Sequence, residues 1–180
     1  MEKRMLFHIC CAPCLLYPLK VLQEEGWHIT GFWYNPNIHP YTEYRNRLNS
    51  LKEYAHRIGL EVIYQDHYDL EGFLRQVVFR ENHRCPVCYF MRMARTALEA
   101  RERGYAYFST TLLVSPYQQH DSIKDIGYNL EKEYGVNFYY KDFREGYREG
   151  VELSRQLELY RQKYCGCIYS ERDRYLKTKK

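Results

Sequence analysis

No apolar run in this 180-residue chain approaches the roughly 18 residues that a membrane-spanning helix needs, so no transmembrane segment is expected. No secretory leader is expected either. Met1-Glu2-Lys3-Arg4 leads into only a short apolar stretch of strand character, and a cytoplasmic location is the expectation. The chain has no internal repeat, low-complexity tract or linker, which points to one domain over residues 1–180 with only the tail 172–180 loosely held. Charge of either sign is in short supply as a net quantity. The formal balance of +4 permits an anionic partner such as RNA without requiring one. The 20 tyrosines are suited to stacking on bases and equally to covering sheet faces and core edges.

What the chain does have is seven cysteines in three tight groups: Cys10, Cys11 and Cys14; Cys85 and Cys88; Cys165 and Cys167. An odd number cannot be consumed by disulfides alone, and a reducing compartment favours metal binding or redox chemistry for such close spacing.

Short runs rich in β-branched and aromatic residues at 5–9, 29–34, 62–64, 106–109 and 138–140 read as five strands. Helical patterns at 15–25, 41–58, 86–103 and 120–134 each stop at a glycine suited to a left-handed cap. This alternation predicts an α/β fold, a parallel sheet with helices on both faces. A last helix is expected over 146–164, where Leu153, Leu157, Tyr160 and Tyr164 recur at helical spacing and deliver Cys165 and Cys167. Ligands of open parallel sheets bind beyond the carboxyl ends of the strands. Those ends carry Cys10-Cys11-Ala12-Pro13-Cys14, the stretch Asn35 to Pro40, Asp66 to Asp69, Thr110-Thr111 with Ser115-Pro116, and Asp142-Phe143-Arg144.

Pro86 reads as the first residue of a helix, which makes Cys85 its N-cap and sets both Cys85 and Cys88 in the positive field of a helix start. Such a field lowers thiol pKa and steadies thiolate-bound metal. Pro13 repeats the pattern beside Cys10 and Cys11. Four pooled thiolates suit a tetrahedral zinc or a [4Fe-4S] cluster, and spacing alone leaves both open. A thioredoxin-like role for Cys85 and Cys88 leaves the first group unexplained, and a radical-SAM cluster run fails because Tyr17 stands where its third cysteine belongs. Cys165-Gly166-Cys167 reads as a strained, reducible redox pair or as further metal ligands.

Taken together, the blocks His8 to Cys14, Tyr34 to Pro40, Cys85 to Tyr89, Ser109 to Pro116 and Tyr160 to Cys167 resemble the epoxyqueuosine reductase QueH family over nearly the whole length. The resemblance implies a two-electron reduction of epoxyqueuosine to queuosine at the wobble position of tRNA, on a HUP/Rossmann-like sheet. It also implies a [4Fe-4S] cluster on Cys10, Cys11, Cys85 and Cys88 and a redox-active pair at Cys165 and Cys167. The S-G-G-x-D-S phosphate loop of ATP-using relatives of that fold is replaced by cysteines, so no ATP use is expected.

Deoxygenating an epoxide takes two electrons, whereas one cluster passes them singly. A dithiol or an additional mononuclear iron, with Cys14 and Asp69 nominated to hold it, would supply the second equivalent. Candidate proton donors are His8, His39, His67, Tyr68 and Asp142. Candidate phosphate contacts are Arg144, Arg148, Arg155, Arg161 and Lys163, then Arg172, Arg174, Lys177, Lys179 and Lys180 in the tail. The electron donor is left unidentified. The alternatives to this enzyme are a zinc-stapled RNA-binding module without catalysis and a thiol-disulfide oxidoreductase acting on proteins.

Overall fold

The computed structural model describes residues 3–176. The central strand β1 (Arg4–His8) carries the buried run Met5-Leu6-Phe7, apolar on both sides as a strand covered on two faces must be. It pairs in parallel with β2 (His28–Trp33) and with β4 (Tyr107–Thr110). Beyond these lie β3 (Val62–Tyr64) and β5 (Asn137–Phe138), giving a five-stranded parallel sheet of order β3-β2-β1-β4-β5. Helix α1 (Ala12–Glu24) packs on α2 (Tyr41–Ile58), and α4 (Arg84–Glu102) on α5 (His120–Tyr134). Where α5 crosses β5 the helix carries Gly127, because a Cβ there would stand 2.2 Å from the Phe138 ring.

The strand order reverses direction at β1 and β4. That split opens a crevice at their carboxyl ends, and the chain there holds Cys10 and Thr111. Helices α2 and α5 fall where the pattern places them, and the strands end within two residues of the expected positions. Both cysteine-bearing helices start earlier than expected. Cys11 is the N-cap of α1, Pro13 its second residue, and α4 begins at Arg84 after a 3₁₀ turn over Glu81–His83, so Cys85 lies inside the helix. Proline marks a first turn rather than a first residue, since none of the opening N–H groups has a partner within the helix.

Helix α3 (Leu70–Val77), too short for a clear periodic signal, is capped by Asp69, whose Oδ1 accepts from the Gly72 N–H at 2.9 Å. The expected long final helix is also broken. Helix α6 (Tyr147–Gln156) stops before Glu158, which adopts φ +53, and residues 157–167 run without helix into α7 (Ile168–Tyr175). The physical reason lies in α2. Arg47 donates to the carbonyls of Tyr164 (2.9 Å) and Cys165 (2.8 Å), Tyr160 bonds Glu43, and the Tyr164 hydroxyl donates to the His39 carbonyl. These side-chain bonds take up groups that a continuing helix would pair within itself. Arg172 and Arg174 are thus helical, while Lys177, Lys179 and Lys180 lie outside the described residues.

Candidate metal and thiol centre

Residues 10, 11 and 14 converge because β1 ends one residue before Ile9 and α1 starts at Ala12, so three sulfurs share one tight bend and first turn. Their Sγ atoms all lie within 4.8 Å of one another, with Cys10 and Cys11 at 3.7 Å. The Thr111 hydroxyl accepts from the Cys10 N–H (3.0 Å) and donates to its sulfur (3.3 Å). The Gln162 side-chain amide donates to Cys11 (3.0 Å) and Cys14 (3.5 Å). Hydrogen bonds from Cys11, then Cys14, and from Thr111 hold the Cys10 thiol well below the ordinary range. Burial pushes Cys11 up, and Cys14 is pushed up by its bonds to Cys10 and Cys11, so Cys10 is the first of the three to ionise.

The other four cysteines gather next door. Cys85, Cys88, Cys165 and Cys167 line a small cavity with Arg84, Asn37 and Gln118. All four thiols are free, and burial pushes Cys88 up to about 12. Cys165 is exposed and accepts from the Gln118 amide (3.4 Å), whereas buried Cys167 caps α7 by accepting from the Ser170 N–H (3.4 Å). Cys165 also lines a larger cavity of about 630 Å³ that reaches Cys10 and Cys14, so the two thiol groups open on adjoining space.

Between them stands Arg92, 1% exposed. Burial opposes its charge, and the sulfurs of Cys88, Cys165 and Cys10 are the groups that favour it once they are ionised. Its Nε donates to the Cys88 carbonyl (3.2 Å) while Nη2 has no protein partner. Arg47, equally buried, is supported by Cys11, Glu43 and Cys10 against its own desolvation. Two sequestered guanidinium groups beside the sulfurs of Cys10, Cys11, Cys88 and Cys165 make a wall suited to an anionic thiolate-metal cluster, and donors to sulfur such as Gln162 are what orient and tune such a group. The residues therefore fit iron-sulfur ligation.

Neither arginine was singled out from sequence, although a signal exists. Arg47 follows Tyr44 and precedes Leu48 and Leu51 on the apolar stripe of α2, and Arg92 follows Cys88 and Tyr89 and precedes Met93 and Thr96 on that of α4. A charge on a core-facing stripe is rare unless paired or functional. Gln118 and Gln162, being in irregular segments, carry no such mark.

The other candidate residues divide between structural roles and the cavity walls. Asp69 caps α3 and acts electrostatically on His39 and Tyr34. His8 is a buried strut: its Nε2–H donates to the Tyr34 carbonyl, leaving Nδ1 to accept from the Thr110 hydroxyl, and burial lowers its pKa to about 4. His67 is exposed, Tyr68 packs edge-on against His39, Tyr41 and Tyr44, and Asp142 is held low, to about 2, by bonds from Arg144. Arg144 is thus already paired, as are Arg155 with Glu152 and Arg172 with Asp173. Lys163 and Arg174 line the large cavity, and Arg161 lines a smaller one beside Cys14.

His39 is buried with neither ring nitrogen well hydrogen-bonded. Burial lowers its pKa from 6.5 to about 4, the Pro36 carbonyl and Asp69 offsetting only part of this. The unfolded chain therefore binds a proton that the folded chain refuses between those values. Stability on this account is full above pH 6.5, falls as pH drops toward 4 and then levels. The expected loss is on the order of 2–3 kcal/mol, and His39→Leu should flatten that limb in denaturant titrations at pH 7 and 4.5. An unchanged limb would show that other groups carry it.

The solved U34-tRNA thiolase NcsA from Methanococcus maripaludis, described with its [4Fe-4S] cluster, superposes with a TM-score of 0.61 over 94% of this chain and 61% of that one, at 14% identity. That likeness establishes the fold. Epoxyqueuosine reductase QueH of Dehalococcoides mccartyi is 40% identical over 175 residues, covering 97% of this chain and 96% of the relative. The QueH of Thermotoga maritima is 40% identical over 176 residues, 92% of this chain and 89% of the relative. The family profile described as epoxyqueuosine reductase QueH matches residues 5–173, which include all seven cysteines. With every thiol-bearing segment inside that match, the chain belongs to the epoxyqueuosine reductase QueH family and is an oxidoreductase.

Proposed function

We propose that this enzyme deoxygenates epoxyqueuosine to queuosine at the wobble position of tRNA, using a [4Fe-4S] cluster and the Cys165–Cys167 dithiol. The observation that carries this reading is the convergence of Cys10, Cys11 and Cys14 within 4.8 Å at the crevice between β1 and β4, with Arg92 buried beside them. In this reading Cys14 joins Cys10 and Cys11 on the cluster. Cys85 and Cys88, from the adjoining cavity, complete the ligands of the cluster and of an additional mononuclear iron, with the free oxygen of Asp69, whose Oδ1 caps α3, as a further donor. Bound there, the iron centre supplies Lewis acidity and single-electron transfer.

The protein's own part balances as follows. Both epoxide C–O bonds break, a C=C bond forms, and the oxygen leaves as water with two protons. The two electrons correspond to oxidation of Cys165 and Cys167 from dithiol to disulfide, which an external electron donor then reverses. Gln118 holds Cys165 at the cavity wall, and the Ser170 N–H at the start of α7 fixes the Cys167 sulfur. His8 and His39, neutral at pH 7, are structural in this scheme.

The test is to incubate iron-reconstituted protein with epoxyqueuosine-containing tRNA and dithionite, then digest and weigh the nucleosides. Loss of one oxygen is expected. Replacing Cys165 and Cys167 together by serine should leave iron content intact while steady turnover falls by at least about tenfold. Unchanged epoxide with the wild-type protein, or full turnover by the double variant, would reject the cluster-reductase reading or the dithiol's part in it respectively.

A further inference from the structure

Tyr117 is 81% exposed, unusual for so large a ring on a well-packed turn. It does not dangle. Pro116 stiffens the turn before it, its own N–H donates to the Ser115 hydroxyl (3.2 Å), and the Gln118 N–H donates to the Ser115 carbonyl (3.3 Å). The next side chain, Gln118, accepts from the Tyr89 hydroxyl (2.8 Å) and donates to the Cys165 sulfur. The Tyr89 oxygen in turn accepts from the Gln119 N–H (3.1 Å). The turn that carries Tyr117 is therefore fixed at its backbone, one residue away from a group that touches the exposed thiol.

Its only ring partner among the described residues is Tyr147, nearly perpendicular at 84° with centroids 5.9 Å apart. With most of its surface in solvent, Tyr117 keeps a broad face free. Both rings line the 630 Å³ cavity that Cys10, Cys14 and Cys165 also line, and Lys163 and Arg174 stand on the same wall. A cavity of that size accommodates a small planar ligand with substituents. A flat aromatic wall, cations beside it and reactive sulfurs at depth form the combination that receives a base turned out of a nucleic-acid strand.

We propose that Tyr117 is the stacking platform for the wobble base, holding its fused ring at the cavity mouth so that the appended cyclopentane ring reaches the thiols. The inference rests on the tRNA reading above and assigns a positioning and affinity role, with no part in electron transfer. The pre-set turn matters because a platform already fixed in place loses little freedom when the base arrives. Lys163 and Arg174 then hold the flanking phosphates, a contribution that is indifferent to which base is stacked.

The test is a cycle between protein and RNA. An anticodon stem-loop carrying epoxyqueuosine, and the same stem-loop abasic at the wobble position, are bound to wild type, Tyr117→Ala and Tyr117→Trp. Tyr117→Ala should weaken binding of the modified stem-loop about tenfold and raise KM similarly with little change in kcat, whereas Tyr117→Trp should stay near wild type. The abasic RNA should weaken wild type by a comparable factor and Tyr117→Ala hardly further, which locates the stack on that base. Equal losses in both proteins, or Tyr117→Ala binding like wild type, would overturn the proposal. The thermal midpoint of Tyr117→Ala should match wild type, since so exposed a ring supports little packing. The cycle needs no turnover. A wild-type protein that binds but never reduces the modified RNA would defeat the reductase reading while the cycle still decides Tyr117, and a wild-type protein that binds neither RNA would defeat both.

Discussion

On the proposed cluster reading, Cys10→Ser is expected to abolish iron-sulfur reconstitution. The expected result is a preparation with most of its iron and sulfide gone after reconstitution and desalting, and single-turnover reduction of epoxyqueuosine down by at least about 100-fold, more than the loss of an outer partner alone usually brings. Position 10 is chosen because it is the sulfur on which the local geometry converges. Cys11 lies 3.7 Å away, the Thr111 hydroxyl serves both its N–H and its sulfur, and its thiol is the first of the group to ionise. A serine hydroxyl keeps the size but ionises far above any working pH and is a hard donor where iron-sulfur ligation is soft. Folding should survive, since the side chain is one of several buried beside β1 rather than a large core residue. Iron content at the wild-type level in Cys10→Ser would remove this cysteine from the ligand set.

Arg92→Met is expected to separate two quantities that usually move together. Arg92 is buried, with one hydrogen bond to the Cys88 carbonyl and an Nη2 atom without a protein partner. Burying a cation costs several kcal/mol unless a compensating charge faces it, and an apolar side chain of similar volume avoids that cost. The metal-free variant should therefore be as stable as metal-free wild type or more stable by about 1–3 kcal/mol in denaturant titration. Its hold on iron should be weaker by about tenfold or more in chelator competition, because the anionic thiolates lose the positive charge beside them. A variant that keeps iron as wild type does and is less stable without it would show that Arg92 is there for packing alone.

The architecture was readable because it depends on local signals that the chain carries strongly. β1 is built on the apolar run Met5-Leu6-Phe7, and the left-handed glycines Gly59 and Gly135 fix the ends of α2 and α5 at the expected residues. The thiols were equally legible as a group, since strand ends of a parallel sheet meet on one edge. Which sulfur faces which was not, because Cys14 is brought to Cys10 and Cys11 by a helix start three residues earlier than periodicity suggested. The break at Leu157 was hidden for a related reason. Leu153, Leu157, Tyr160 and Tyr164 keep helical spacing, yet Arg47 and Glu43, far away in sequence, bond to the segment after the break. Periodicity reports what a segment can do alone, and long-range bonds to its backbone decide otherwise.

One guanidinium holding two successive carbonyl oxygens has a wider meaning for how this protein can vary. A peptide unit is flat, so fixing the oxygens of Tyr164 and Cys165 fixes the tilt of the link between them and hence the direction in which the Cys165 side chain departs. Nothing in that grip reads the identity of the gripped residues. The aim of the Cys165 sulfur is thus written at position 47, in the middle of α2, and a lysine there, with its single ammonium, would keep the charge but lose the second anchor. Mutational drift at 47 would surface as an altered orientation of the thiol 118 positions downstream, with the sheet itself undisturbed.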